Sequence, residues 1–288
     1  MTYFGRPAIK SYNISMNYLF IAAVLACVWY GLARLGAHIV FRPQKKRWPL
    51  KLPFENAAFD APNGKKITGV YLPAKQHRPT LLFFHGRGGN VSHFEQFAQA
   101  YAPLGYGIFM FDYRGFGLSR GTPSQKTVFE DALAAARYLM SNKQLRPQEI
   151  VLYGHSLGNA PALHTACALE KLPLKALILQ SPFLSTPDMA VCLRTHRYDP
   201  SSFFYRLTAA AVTPFLCFNR FENTRPAAQL KLPVLVCMSR QDATIPWRMS
   251  ARLADYIPHA KRFLSEVGGH DEFAWSVSAA DAFIKKLP

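Results

Sequence analysis

Acidic residues are scarce in this 288-residue chain: 17 Asp and Glu stand against 34 Lys and Arg, a formal net charge of +17. Such a surplus invites a polyanionic partner. Yet there is no zinc-finger spacing, no RNP-like aromatic motif and no recognition-helix pattern, so no nucleic acid is expected. Cysteines are few and scattered. Cys27, Cys167, Cys192, Cys217 and Cys237 form no C-x-x-C pair, which argues against a disulfide framework and for a reducing compartment, with single thiols acting as small buried hydrophobes. No group of residues has metal-ligand spacing, so the expected metal is none, and the expected cofactor is none. Repeats and low-complexity tracts are lacking too. What the chain has is apolar mass: 50% of its residues are hydrophobic and 14% aromatic. That composition excludes a disordered chain and suits one large α/β domain with an appendage.

Charge is also missing from Tyr18 through Ala33, and past Arg34 the apolar character resumes to Phe41. The uncharged run alone is slightly short of the ~20 residues that span a bilayer, but with Arg34 snorkelling residues 18–41 are long enough. Tyr18, Trp29 and Tyr30 suit the membrane interface. A single transmembrane anchor is the reading adopted, after a polar tail of residues 1–17. A cleaved signal peptide, a lipid-modified Cys27 and a helix packed on the domain are the alternatives. Arg42, Lys45, Lys46, Arg47 and Lys51 follow the segment, whereas Arg6 and Lys10 precede it. Positive charge stays cytoplasmic, so a single-pass protein with its folded domain in the cytoplasm is expected. Residues 42–53 read as a basic linker, solvated or drawn to anionic lipid headgroups. Membrane lipid is therefore an expected partner; the oligomeric state is left open.

From Phe54 the pattern is that of a globular domain over residues 54–288. Stretches 54–61 and 65–73 flank an Asn63-Gly64 turn and predict a β-hairpin. Apolar runs at 80–84, 107–111, 150–154, 176–180, 234–238 and 262–267 predict buried strands. Helical patterns fall at 91–104, 125–141, after Ser156, at 246–256 and at 273–286. Strands alternating with helices predict an α/β fold, a mostly parallel sheet with helices on both faces. The alternation breaks at about 183–230, a stretch rich in Phe, Tyr and Arg. It reads as a small cap insertion at the sheet edge where ligands bind, or as a packing excursion without substrate contact.

The run Ile150-Val151-Leu152-Tyr153 ends in Gly154-His155-Ser156-Leu157-Gly158, a G-x-S-x-G between a strand and a helix. That spacing puts a serine on a sharp turn, its hydroxyl at the top of a sheet, with glycines where strand and helix pass closely. A nucleophilic serine needs a base, and the base an orienting acid, in the chain order Ser, Asp or Glu, His. Asp242 stands just beyond one strand and His270 just beyond the last. The candidate catalytic residues are thus Ser156, Asp242 and His270. Asp112, also at a strand end, is a minor alternative acid, although its neighbour Arg114 suggests a structural ion pair. His85 and His155 read as structural; His93, His164, His196 and His259 have no supporting context, and Asp271 reads as surface. His85-Gly86-Arg87-Gly88-Gly89 could cradle a phosphate, but it lacks the Walker Lys-Ser/Thr pairing and dinucleotide spacing. Its backbone, with that of Leu157 at the helix start, is placed to hold an oxyanion.

The stretch from Phe54 to Pro288 resembles the α/β-hydrolase fold family, and within it the membrane-anchored abhydrolase-domain serine hydrolases. The resemblance rests on His85-Gly86-Arg87-Gly88-Gly89-Asn90, Phe111-Asp112-Tyr113-Arg114-Gly115-Phe116-Gly117-Leu118-Ser119, the Ser156 elbow, Ser181-Pro182-Phe183, Asp242-Ala243-Thr244-Ile245-Pro246 and Gly269-His270. It implies hydrolysis of acyl esters or thioesters, including lipid-derived acyl groups, with the Arg87 and Leu157 amides as oxyanion hole. The sequence departs from the branch at Arg87, where a small or polar residue is common, and at Cys237-Met238-Ser239 ahead of the acid. Two rivals remain: a serine peptidase on the same fold, and a catalytically silent membrane-anchored binding protein.

Overall fold

A computed structural model describes residues 10–75, 77–195, 198–216 and 219–288. His196, Arg197, Cys217 and Phe218 lie outside these, as do the side chains of Arg194 and Phe215. The strands are β1 (Glu55–Asp60), β2 (Lys66–Leu72), β3 (Thr80–Phe84), β4 (Gly107–Asp112), β5 (Ile150–His155), β6 (Ala176–Gln180), β7 (Val234–Ser239) and β8 (Lys261–Ser265). They form one eight-stranded sheet in the order β1-β2-β4-β3-β5-β6-β7-β8. β1 and β2 pair antiparallel, as β2 does with β4, and every later pairing is parallel. The hairpin turns at Gly64, whose φ of +69° suits a residue without a Cβ.

Helices α1 (Lys10–Phe41), α2 (Glu95–Tyr101), α3 (Gln125–Ser141), α4 (Asn159–Ala168), α5 (Thr186–Thr195), α6 (Phe203–Val212), α7 (Thr224–Ala227), α8 (Trp247–Asp255) and α9 (Ala274–Lys285) complete the architecture. Successive strand residues point to opposite faces, and this alternation sorts the core. Leu82, Phe84, Phe109, Phe111, Leu152 and Leu177 face one layer with α3, α4 and α8. Leu81, Phe83, Ile108, Met110, Val151 and Ile178 face the other with α2 and α9. Each fully buried side chain of this size contributes about 1.5–3 kcal/mol. The central strands are apolar on both faces because both faces are covered.

Two expectations are corrected. The helix expected from Val91 starts at Glu95, because residues 91–94 close tighter i→i+3 turns, His93 N donating to the Asn90 carbonyl (2.9 Å) and Phe94 N to the Val91 carbonyl (3.3 Å). Arg114 does not pair with Asp112. Its guanidinium bonds Asp131 (2.6 Å) and Glu130 (2.5 Å) on α3. Asp112 is instead held by Arg47, through Nε at 2.8 Å and Nη2 at 2.5 Å.

Arg47 belongs to residues 42–53, which lie along the domain. Trp48 N donates to Ser92 Oγ (3.0 Å), and Lys51 N and Leu52 N both donate to Glu95 Oε1 (2.5 and 2.9 Å). Before them, α1 runs for 32 residues. Met16–Phe41 has a mean hydropathy of 1.8 and is 6% buried, so its apolar side chains face outward until Val40 and Phe41, which enter the core.

Candidate active site

The site stands where β5 meets α4. Ser156 has a φ of +53°, a left-handed conformation that costs a non-glycine residue about 1–3 kcal/mol. The surroundings enforce it. A Cβ on Gly158 would collide with the Phe84 carbonyl oxygen, and one on Gly154 would come within 2.7 Å of the Asn159 Cα. Strand and helix can pass this closely only without those side chains. Asn159, which sequence reasoning passed over, ties the turn down: its Nδ2 donates to the carbonyls of Ser156 and Gln180, both at 2.8 Å.

The three residues singled out from their order in the chain meet here. Ser156 Oγ lies 2.9 Å from His270 Nε2. His270 Nδ1 lies 2.9 and 3.0 Å from the two Asp242 carboxylate oxygens. Nδ1 therefore donates to the carboxylate, leaving the Nε2 lone pair for the serine proton. Asp242 Oδ1 also accepts the backbone N–H groups of Thr244 and Ile245, each at 2.8 Å. Burial works to raise the Asp242 carboxyl, but the His270 ring and the Ile245 N–H outweigh it and hold its pKa below the usual value.

His270 is positioned from beneath. His155 Nε2 donates to the His270 carbonyl at 2.9 Å, and Gln180 Nε2 donates to the Glu272 carbonyl at 2.8 Å. The Gln180 oxygen is itself held by Tyr153 (2.6 Å) and Ser276 (2.8 Å). Ser239 Oγ donates to the Gly268 carbonyl at 2.6 Å. His155 was read as structural from the sequence; Gln180 and Ser239 were missed, and the signal available was a lone Gln closing an apolar run. Burial and the His270 charge press the His155 pKa down to about 3, so this ring stays neutral and serves as a support. His85 is equally buried, its Nδ1 donating to the Gly86 carbonyl at 2.8 Å while its ring packs 4.4 Å from that of Tyr113. Burial lowers its pKa as well. Asp271 is exposed.

The loop after β3 overhangs the serine. A Cβ on Gly86 would lie 3.2 Å from the Ser156 Cβ, and Arg87 follows directly, its side chain exposed. Among the described residues no acceptor faces the Arg87 N–H. Leu157, the other sequence-predicted amide, lies in the short turn Ser156–Gly158 that leads into α4, where the first N–H groups lack intrahelical acceptors.

A family model for the alpha/beta hydrolase fold matches residues 79–220. The chain has the α/β-hydrolase fold. The matched span carries Ser156 and the Gly86–Arg87 loop; Asp242 and His270 lie beyond it. Among curated relatives, this chain is 27% identical over 276 residues to the uncharacterized protein YfhR of Escherichia coli (strain K12), covering 93% of this chain and 92% of that one. It is 29% identical over 217 residues to a Danio rerio protein named lysophosphatidylserine lipase ABHD12, covering 73% of this chain and 55% of that one. Protein bem46 of Schizosaccharomyces pombe is 32% identical over 173 residues, 59% of this chain and 54% of that one. Among solved structures, an esterase of Pyrococcus furiosus superposes with a TM-score of 0.66 at 16% identity, over 85% of this chain and 96% of that one. An acetyl xylan esterase from Paenibacillus sp. R4 gives a TM-score of 0.60 at 19% identity, over 91% and 94%. The structural likenesses carry the fold; the chemistry rests on the site.

Proposed function

We propose that this α/β-hydrolase is a membrane-anchored serine hydrolase of carboxylic esters or thioesters carrying acyl or lipid-derived groups. The observation that carries the reading is the unbroken chain Ser156 Oγ–His270 Nε2 and His270 Nδ1–Asp242, with links of 2.9 Å each. Ser156 attacks the acyl carbon while His270 takes its proton. Asp242 fixes the tautomer and stabilises the imidazolium. The Arg87 and Leu157 amides bind the developing oxyanion. His270 then protonates the leaving alcohol or thiol, and water activated by the same ring releases the acid from Ser156.

The outward apolar face of Met16–Phe41 supports an anchor, and the charge that follows it supports a cytoplasmic domain. The insertion after β6 supports a cap: it leaves the sheet at Ser181-Pro182-Phe183, on the edge that also bears Ser156 and Asp242. On α6, Phe203 and Phe204 are 67% and 76% exposed, an apolar pair that suits an acyl chain or the bilayer it comes from. Arg206, on the same helix, and Arg220 are also exposed and suit an anionic headgroup.

The test is a series of p-nitrophenyl esters from about two to sixteen carbons, kept below micelle formation. kcat/KM is expected to rise about tenfold per two methylenes until the pocket fills, from about 0.8 kcal/mol per buried CH₂. A steep maximum at acetyl would refute the acyl pocket; absence of any esterase or thioesterase turnover would sink the function itself.

The anchor has its own test. Val40 and Phe41 are core residues, so the cut belongs before Ala37. Removing residues 1–35 is expected to leave the domain active and release it from sedimented membranes. Material that still pellets at low salt but not at high salt would assign a second contact to residues 42–51, since salt screens charge and spares apolar insertion. Pelleting at both would assign it to Phe203, Phe204 and Leu207.

A further inference from the structure

The loop that carries the Arg87 amide has little to hold it rigid on its own. Gly88 and Gly89 are both left-handed, with φ of +72° and +65°, and neither has a side chain to pack. The near side is fixed by the sheet, through Gly86 against Ser156. The far side is fixed by a segment distant in sequence, residues 41–52, which runs beside it in the same direction. Gly88 N donates to the Phe41 carbonyl at 2.9 Å. Asn90 Nδ2 donates to the carbonyls of Lys46 (2.7 Å) and Gln44 (3.2 Å).

At the centre of this strap the Arg47 guanidinium enters the domain to reach Asp112, whose side chain is fully buried. One Asp112 oxygen takes both Arg47 contacts; the other accepts the Val91 N–H at 2.8 Å. Arg47 and the end of the oxyanion loop thus share one carboxylate. Among the described residues no hydrogen bond or ion pair joins the strap to Ser156, His270 or Asp242, so its effect on chemistry must pass through the loop.

We propose that Arg47 is a positioning residue: it seats the strap that fixes the far side of the loop, and so aims the Arg87 amide at the charge developing on the substrate carbonyl. This rests on the reading that the Arg87 N–H receives the oxyanion. Because the strap continues directly from α1, catalytic geometry depends on how the end of the anchor helix is seated.

The test uses the full chain in detergent, with p-nitrophenyl butyrate as substrate and a fluorophosphonate, reacted to completion, to count functional serines. Arg47→Ala is compared with Arg47→Ala/Asp112→Asn, since the double variant spares the protein an unpaired buried carboxylate while the amide oxygen introduced at position 112 can still accept the Val91 N–H. Both are expected to lose about tenfold or more in kcat per titrated site with KM within about twofold, the signature of an interaction made only in the transition state. Arg47→Lys should recover part of the loss, since an ammonium supplies charge but not the two-pronged contact. Unchanged kcat per titrated site in the double variant, or a loss confined to KM, would overturn the inference. A wild-type protein that the probe cannot label would instead remove the serine-hydrolase reading, and this inference with it.

Discussion

Ser156→Ala is expected to cut kcat by about six orders of magnitude, because nucleophile and base act as a unit and what is left is the contribution of binding and the oxyanion amides. His270→Ala should cost about as much, and the double variant little more than either. Stability should hardly move. The left-handed backbone at residue 156 is imposed by the glycines and by Asn159, and an alanine there carries the same strain while losing a single hydrogen bond to His270. The measurement is a single-turnover ester assay beside a thermal melt. Substantial residual turnover in Ser156→Ala, after exclusion of contaminating hydrolases with an irreversible serine probe, would remove Ser156 from the mechanism.

Asp242→Asn should cost about four orders of magnitude, through the tautomer of its partner. One Asp242 oxygen accepts two backbone N–H groups as well as facing His270. An asparagine would turn its carbonyl toward those donors and present its NH₂ to His270 Nδ1. The ring would then carry its proton on Nε2, aimed at the serine, and could not act as a base. Asp112→Asn strands Arg47 rather than His270, so its loss should be far smaller and should follow the loop rather than the base. If Asp242→Asn kept near wild-type kcat while a folded Asp112→Asn lost it, the orienting acid would be Asp112.

How much of this was legible in the sequence follows from what kind of signal each feature leaves. The hairpin around Asn63-Gly64, the strand Thr80–Phe84 and helix Gln125–Ser141 fall where the pattern puts them, because turn chemistry and periodicity are local. The three residues that meet at Ser156 were readable from motif and order, since each follows a strand and the topology brings those strand ends together. Pairings between charges were not readable. Arg114 beside Asp112 looked like a pair, but the charge sign says that a partner is needed and not which one; Asp131, on the helix that packs over Arg114, is better placed. Arg47 sits in a run of positive charge that reads as solvated, and its partner is 65 positions away. The late start of α2 was not readable either: Val91 has helical composition, but residues 91–94 turn through i→i+3 bonds while Asn90 is held by the distant carbonyls of Gln44 and Lys46.

The close passage of Gly158 under Phe84 has a consequence for how the site fails. A Cβ on Gly158 would meet the carbonyl oxygens of both Phe84 and His85, so the turn that bears the serine touches the root of the oxyanion loop backbone to backbone. A side-chain spacer would let that gap breathe through rotamer changes; a backbone contact between the end of β3 and the turn that continues from β5, its hydrogen-bonded neighbour, does not. Phe84 and Gly154 are register partners in the middle of the sheet. For the near half of the loop, then, Ser156 and the root of the loop proposed to bind the oxyanion separate only when β3 and β5 part, and that is the opening of the sheet itself. Heat should erase this half of the site and the fold at one temperature, leaving the far half, on its borrowed strap, as the part able to loosen first.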